Sequence, residues 1–111
     1  ISGTAVFDGI RNSAGGVITQ LTNDAGAEIS GVVTGITNDG QIATLTNDGT
    51  VHGGSDGLAN GGTLTTLINN GSITGDAMGS GVWNKLHGTI TTLTDVMGFL
   101  AFLGLATLVL L

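Results

Sequence analysis

The chain has 111 residues, including 21 glycines and neither cysteine nor proline, and its length suits a single domain. Two basic residues against eight acidic ones give a net charge of −6, which excludes a surface able to neutralise a run of nucleic-acid phosphates. The lack of cysteine excludes a disulfide framework and thiolate chemistry, and it leaves the compartment open.

One short phrase returns along the chain in slightly altered form. Its copies read QLTNDAGAEI at 20–29, GITNDGQI at 35–42, TLTNDGTV at 44–51, GLANGGTL at 57–64, TLINNGSI at 66–73 and GVWNKLHGTI at 81–90. Aligned on asparagine, the phrases form two interleaved series. The first is Asn12, Asn38, Asn60 and Asn84, with spacings of 26, 22 and 24 residues, and the second is Asn23, Asn47, Asn69 and Asp95, with spacings of 24, 22 and 26. Two phrases therefore make one repeating unit.

The same alignment places aliphatic residues in four columns that keep their character from unit to unit. Two of these columns are the predicted core ladder: Ile10, Ile36, Leu58 and Val82, and Leu21, Leu45, Leu67 and Leu93. The other two are Ile18, Ile42, Leu64 and Ile90, and Ile1, Ile29, Val51 and Ile73. Changes in unit length fall in glycine-rich and polar segments between the columns, which predicts turns there.

These residues favour strands over helices, because glycine costs about 1 kcal/mol relative to alanine inside a helix and Thr, Val, Ile and Asn are mediocre helix formers. Short strands with turns at a fixed period predict an all-β fold. We expect residues 1–95 to form a parallel β-solenoid of about four coils of 22–26 residues, with coils about 4.8 Å apart. Residues 96–111 form a separate apolar C-terminal segment.

The asparagines are expected to lie at the inner corners of the coils. With Leu45 facing inward, strand alternation turns Thr46 outward and Asn47 inward again. Stacked asparagines can then hydrogen-bond through their side-chain amides and satisfy corner backbone groups. The glycine two or three residues later is expected to supply a positive φ at the corner.

Phrases such as GITNDGQIATLTNDGTVHGG and GLANGGTLTTLINNGSITG resemble the NSGTI…TLTNSGTISG repeats in the β-helical passenger regions of bacterial autotransporter adhesins. They resemble filamentous haemagglutinin repeats more loosely. The resemblance covers roughly residues 1–95 and implies an extracellular scaffold or adhesive stalk, with no catalytic residue. The chain departs from the family in its compact size, its C-terminal tail and the lack of a recognisable translocator barrel.

Both ends of the chain point to association. Ile1-Ser2-Gly3 matches the middle of later units, so the first coil is expected to be an open sheet edge, either within a longer array or stacked on another subunit. Val96–Leu111 carries no charge and is slightly short for a bilayer span. We favour a capping or inter-subunit role over a membrane anchor because no basic stop-transfer residue follows Leu111. The candidate association residues are Phe99, Phe102, Leu103 and Trp83.

Local motifs for catalysis or metal binding are weak. GGSDG satisfies the pattern around a nucleophilic Ser55, but it lacks the expected strand-to-helix context, and we predict no enzyme. Asp24, Asp39 and Asp48 each follow a corner asparagine and are interpreted as solvated caps, so Ca²⁺ is not expected. His52 and His87 are interpreted as surface or turn residues. No cofactor and no metal site is predicted.

Outward positions offer one alternative function. They are rich in threonine: Thr19, Thr22, Thr37, Thr44, Thr46, Thr65, Thr66, Thr91, Thr92 and Thr94. Trp83 follows an inward residue and is expected to point outward. The main hypothesis is a non-enzymatic extracellular scaffold, a segment of a bacterial surface adhesin or self-assembling fibre that forms homo-oligomers or filaments. The alternative is a solenoid that binds ice or glycan, and a phage tail fibre or tailspike piece is the third reading.

Overall fold

The computed structural model describes residues 2–3, 8–76, 79–95, 102–104 and 108–110, and within these ranges every regular element is a β-strand. The first three windings contain β1 (Ser2–Gly3), β2 (Asp8–Asn12), β3 (Val17–Asn23), β4 (Glu28–Gly31), β5 (Thr34–Asn38), β6 (Gln41–Asn47), β7 (Thr50–Gly53), β8 (Asp56–Asn60) and β9 (Thr63–Asn69). The fourth winding contains β10 (Ser72–Thr74), β11 (Val82–Asn84) and β12 (Thr89–Asp95), and β13 (Phe102–Gly104) and β14 (Leu108–Leu110) follow.

The strands form three parallel sheets, because each winding gives one strand to each sheet. Sheet A has the order β1-β4-β7-β10, sheet B the order β2-β5-β8-β11-β13, and sheet C the order β3-β6-β9-β12-β14. The chain is therefore a three-sided parallel β-solenoid of about four turns, as its sequence predicts. The register pairs Asn12 with Asn38, Asn60 and Asn84 in sheet B, and it pairs Asn23 with Asn47, Asn69 and Asp95 in sheet C.

The core is a narrow apolar column inside the three sheets. Its members are the predicted aliphatic columns, and the fully buried ones include Ile36, Ile42, Leu45, Val51, Leu58, Leu64, Leu67, Ile73, Val82 and Ile90. Ile10, Ile18 and Leu21, in the first winding, pack against this column but are only partly buried. Ile1 lies outside the described residues.

Strand alternation positions the polar residues as expected. In β6, Leu45 and Asn47 are buried and Thr46 between them is half-buried. An inward position thus alternates with an outward one up to the corner, where the chain turns into the next sheet.

The expectation that each corner glycine has a positive φ is wrong for most corners. Among the described residues only Gly15 and Gly26 have a positive φ, at 84° and 81°. Each lies in a longer corner, where the asparagine side chain bonds to the carbonyl oxygen of the fourth residue after it. In the shorter corner at Gly40, a Cβ would lie 2.3 Å from the carbonyl oxygen of Gly16 in the winding below. Glycine is needed there because two backbones approach closely, not because of its φ.

Two stretches of the apolar tail continue the sheets. Strand β13 pairs in parallel with β11, with Phe102 opposite Val82 and Leu103 opposite Trp83. Strand β14 pairs with β12, with an irregular register. The side chains of these strands, and Phe99 as a whole, lie outside the described residues. In the part of the chain that is described, no helix has the length and apolar character needed to cross a membrane.

Candidate functional site: corner ladders and an outer groove

Each corner asparagine of sheet B is bonded to the equivalent asparagine of the next winding. The Nδ2 of Asn12 donates to Oδ1 of Asn38 at 2.9 Å, Asn38 donates to Asn60 at 2.8 Å, and Asn60 donates to Asn84 at 2.9 Å. Because every bond has the same direction, the ladder has a polarity along the solenoid axis. Donors point towards the C-terminal end.

The second ladder, at the corners after sheet C, repeats this arrangement. Asn23 donates to Asn47 at 2.8 Å, Asn47 to Asn69 at 2.9 Å, and Asn69 to Oδ1 of Asp95 at 3.1 Å. An ionised carboxylate accepts hydrogen bonds but cannot donate one. Asp95 therefore receives the ladder from below, and its side chain cannot pass the same bond to a further winding.

The asparagine amide groups also bind the backbone of the corner. Besides Asn84, the Nδ2 of Asn60 has the carbonyl oxygen of Gly62 at 3.3 Å and that of Thr89 at 3.1 Å. Since the amide has two hydrogens for these three acceptors, at least one hydrogen is shared. Asn38, Asn47, Asn60, Asn69 and Asn84 are fully buried. Each is a polar group whose burial is compensated by hydrogen bonds within the corner and between windings.

Outside the ladders, the candidate residues are dispersed over several surfaces. Ser55 precedes β8 and its hydroxyl lies 3.4 Å from Oδ2 of Asp56. His87 is exposed in a corner, whereas His52 is half-buried beside Thr74 and Asp76. Within the described ranges, no three His, Asp or Glu side chains are grouped so that they could hold a metal ion.

Nine of the ten outward threonines are exposed or half-buried, and they lie on sheet C. Register places Thr22 beside Thr46, and Thr44 beside Thr66, but Gln20 and Ile68 interrupt these rows. Thr37 is the exception. It lies on sheet B and is 3% exposed, and its hydroxyl donates to Oδ1 of Asp8 at 3.2 Å.

Thr37 belongs to a groove on the outer face of sheet B. One register column of that face reads Arg11, Thr37, Ala59 and Trp83 from the first winding to the fourth. The two small side chains form a floor between two large ones. A cavity of about 480 Å³ opens over this floor, and Asp8, Asp56 and Lys85 also line it.

Ion pairs fix the charged side chains around the groove. Arg11 binds Asp8 through Nη2 at 2.7 Å and Nε at 2.8 Å, and its Nη1 lies 3.6 Å from Asp39. Lys85 Nζ lies 3.9 Å from Asp39 and 5.7 Å from the centroid of the Trp83 ring. The winding between Asp39 and Lys85 has Gly61 at this corner, where a Cβ would meet both side chains.

Sequence reasoning singled out Trp83, which is 40% exposed as expected, but it missed the groove around it. The alignment of the repeats on asparagine does contain a signal for the groove. Arg11, Thr37, Ala59 and Trp83 each directly precede an asparagine of the first series. Asp8, Thr34 and Asp56 each stand four residues before one. Comparison with protein-family models, curated proteins and solved structures found no match to this chain.

Proposed function

We propose that this chain is a non-enzymatic extracellular scaffold, a β-solenoid segment of a bacterial surface adhesin or self-assembling fibre. The repeat phrases support the assignment to surface adhesins through their resemblance to autotransporter passengers. The buried polar side chains support a mechanical role, because the corner asparagines bond to one another and to the backbone. Such a solenoid is stiffened by sheets that run along its whole axis.

The observation that carries the proposal is the difference between the first winding and the second. Ile18 and Leu21 are partly buried, although Ile42 and Leu45 directly above them are 1% and 0% exposed. An isoleucine and a leucine at equivalent positions are therefore fully buried only where a further winding covers them. Burial of apolar surface stabilises by roughly 25 cal/mol per Å², which favours a further winding on this end.

The backbone and the ladders add direction to this contact. Strands β2 and β3 are the terminal strands of sheets B and C, and a terminal strand offers backbone groups for pairing with another parallel strand. The amide oxygens of Asn12 and Asn23 face the N-terminal end of the solenoid, since their Nδ2 atoms donate in the opposite direction, to the second winding. A head-to-tail stack of copies would add further parallel strands to the sheets, although the ladder that ends at Asp95 would not be continued. Such heterologous contacts produce filaments.

A charge inserted into the open end of the core tests this assembly. We expect Ile18→Lys to prevent end-to-end stacking, because the ammonium group would be buried without a partner in the stack. Thr19→Lys is the matched control, since Thr19 is the next residue and is exposed on the outer face of sheet C. Electron microscopy and sedimentation velocity over a range of concentrations should show filaments for the unchanged chain and for Thr19→Lys.

The proposal is wrong if the unchanged chain stays monomeric at every concentration, whatever the variants do. It is also wrong if Ile18→Lys, with a β-type circular dichroism spectrum, assembles as well as Thr19→Lys.

A further inference from the structure

The groove on sheet B is built from differences between windings that otherwise repeat. Neighbouring windings are about 4.8 Å apart, so Thr37 and Ala59 separate Arg11 from Trp83 by three such steps. Both floor residues are only 3% exposed. The cavity above them, about 480 Å³, is within the range of roughly 300–1,000 Å³ typical of small-ligand sites.

The residue types at the groove are rare in this chain. It has two basic residues and one tryptophan in 111 positions, and all three line this cavity. Arg11 and Lys85 come from the first and fourth windings, so their meeting depends on the stacking. A cavity with an aromatic surface and a few convergent polar groups is the usual form of a ligand site.

The charges select the chemistry of the ligand. Asp8 and Asp39 pair with Arg11, and Asp39 also pairs with Lys85, so each cation lies within 4 Å of a carboxylate. Asp56 is a further carboxylate in the lining of the cavity. An anion would have to compete with these carboxylates, and a cation would be repelled by the guanidinium and ammonium groups. A neutral molecule with many hydroxyl groups suits both the carboxylates and the basic side chains of the groove, because each hydroxyl can donate to a carboxylate and accept from a cation.

The aromatic side chain completes the selection. The indole of Trp83 is 40% exposed, with Lys85 near its ring, and the negative face of an aromatic ring attracts weakly positive C–H groups. A sugar ring has one face of C–H groups and an edge of hydroxyls. We propose that this groove binds a neutral saccharide, with a sugar ring against Trp83 and hydroxyls directed at Asp56, Thr37 and Arg11.

This site is independent of the scaffold function, because every residue in it belongs to one copy of the chain. Trp83 is the only tryptophan and there is no tyrosine, so intrinsic fluorescence reports on this groove alone. The probes are lactose, maltose, cellobiose and diacetylchitobiose, with sodium acetate and tetramethylammonium chloride as charged comparisons. We expect a saturable change with at least one disaccharide, at a Kd on the order of 1 mM or lower, and none with the ions.

Two variants test whether the response comes from the groove. Ala59→Leu fills the floor, and its matched control is Ala43→Leu, since Ala43 is exposed on the outer face of sheet C. We expect Ala59→Leu to weaken binding roughly tenfold or more and Ala43→Leu to leave it unchanged. Asp56→Asn, which keeps an oxygen for the Ser80 N–H, should also weaken binding.

The saccharide site is refuted if no disaccharide gives a saturable response, or if acetate or tetramethylammonium gives the larger one. It is equally refuted if Ala59→Leu binds as tightly as Ala43→Leu. Should Ala59→Leu lose its β-type circular dichroism spectrum, unaltered binding by Asp56→Asn refutes the site. These titrations use dilute protein and would stand whether or not the chain forms filaments.

Discussion

At the scale of single residues, the corner asparagine joins two requirements that usually conflict. It is polar, yet Asn38, Asn47, Asn60 and Asn69 are fully buried. Burial is tolerated because each amide accepts from the winding below and donates to the winding above and to corner carbonyls. Removing one amide takes away the hydrogen bonds to the neighbouring windings and to the corner carbonyl, and a buried group left without a partner costs about 1–3 kcal/mol.

Asn69 and its neighbour Asn70 provide a direct test. Asn69 is buried between Asn47 and Asp95, whereas Asn70 is exposed and bonds to Asp48 at 2.6 Å. We expect Asn69→Ala to lower the free energy of unfolding by about 2–4 kcal/mol and Asn70→Ala by less than about 1 kcal/mol. Urea denaturation measures both, and equal effects of the two substitutions would contradict the ladder's contribution to stability.

At the scale of the strand, position in the stack matters as much as residue type. Ile18 in β3 and Ile42 in β6 are opposite each other in register and both face the core. Ile42 has windings on both sides and is 1% exposed, while Ile18 is partly buried. The same deletion of methyl groups should therefore leave a cavity in β6 and much less of one in β3.

Truncating each isoleucine to alanine separates these two environments. Ile42→Ala is expected to cost about 2–5 kcal/mol in the free energy of unfolding, the usual range for a buried aliphatic side chain. Ile18→Ala should cost less than half as much in the monomer. Urea titrations at protein concentrations too low for assembly make the comparison. Similar costs would mean that the first winding is as well covered as the second.

At the scale of the molecule, the tail turns out to share the sheets of the repeat domain. Strands β13 and β14 lie on β11 and β12, so they cover the backbone edges of the fourth winding in sheets B and C. Among the described residues, sheet A has four strands and no such addition. The described parts of the segment from 96 to 111 therefore extend the solenoid. Its division from residues 1–95 and the association roles of Phe99, Phe102, Leu103 and Trp83 remain predictions.

A chain ending at Asp95 tests the role of this segment. Strands β11 and β12 would then become terminal strands, so their amides should exchange with solvent faster than in the full chain. We also expect the shortened chain to lose filament formation. Hydrogen exchange followed by mass spectrometry, and electron microscopy, measure the two effects. A shortened chain that stays soluble and still polymerises would rule out an association role for the tail.

The sequence alone determined the winding, the two ladders and the core columns. In these features, similar residues of successive windings stack on one another, so the recurrence of similar residues every 22–26 positions is enough to reveal them. Even the outward direction of Trp83 follows from alternation next to Val82. The period also identified Asp95 as the last member of the second ladder, although it is not an asparagine.

Only the tertiary structure decided what arises from unlike residues in neighbouring windings. The groove needs Arg11 and Trp83 to flank two small residues, and the approach of Lys85 to Asp39 needs a glycine between them. The division of corner glycines into two with a positive φ and others in close backbone contact is of the same kind. Such features depend on distances between windings and on the length of each corner. Periodicity does not encode these quantities, because it shows which positions carry similar residues and not the geometry that results where the residues differ.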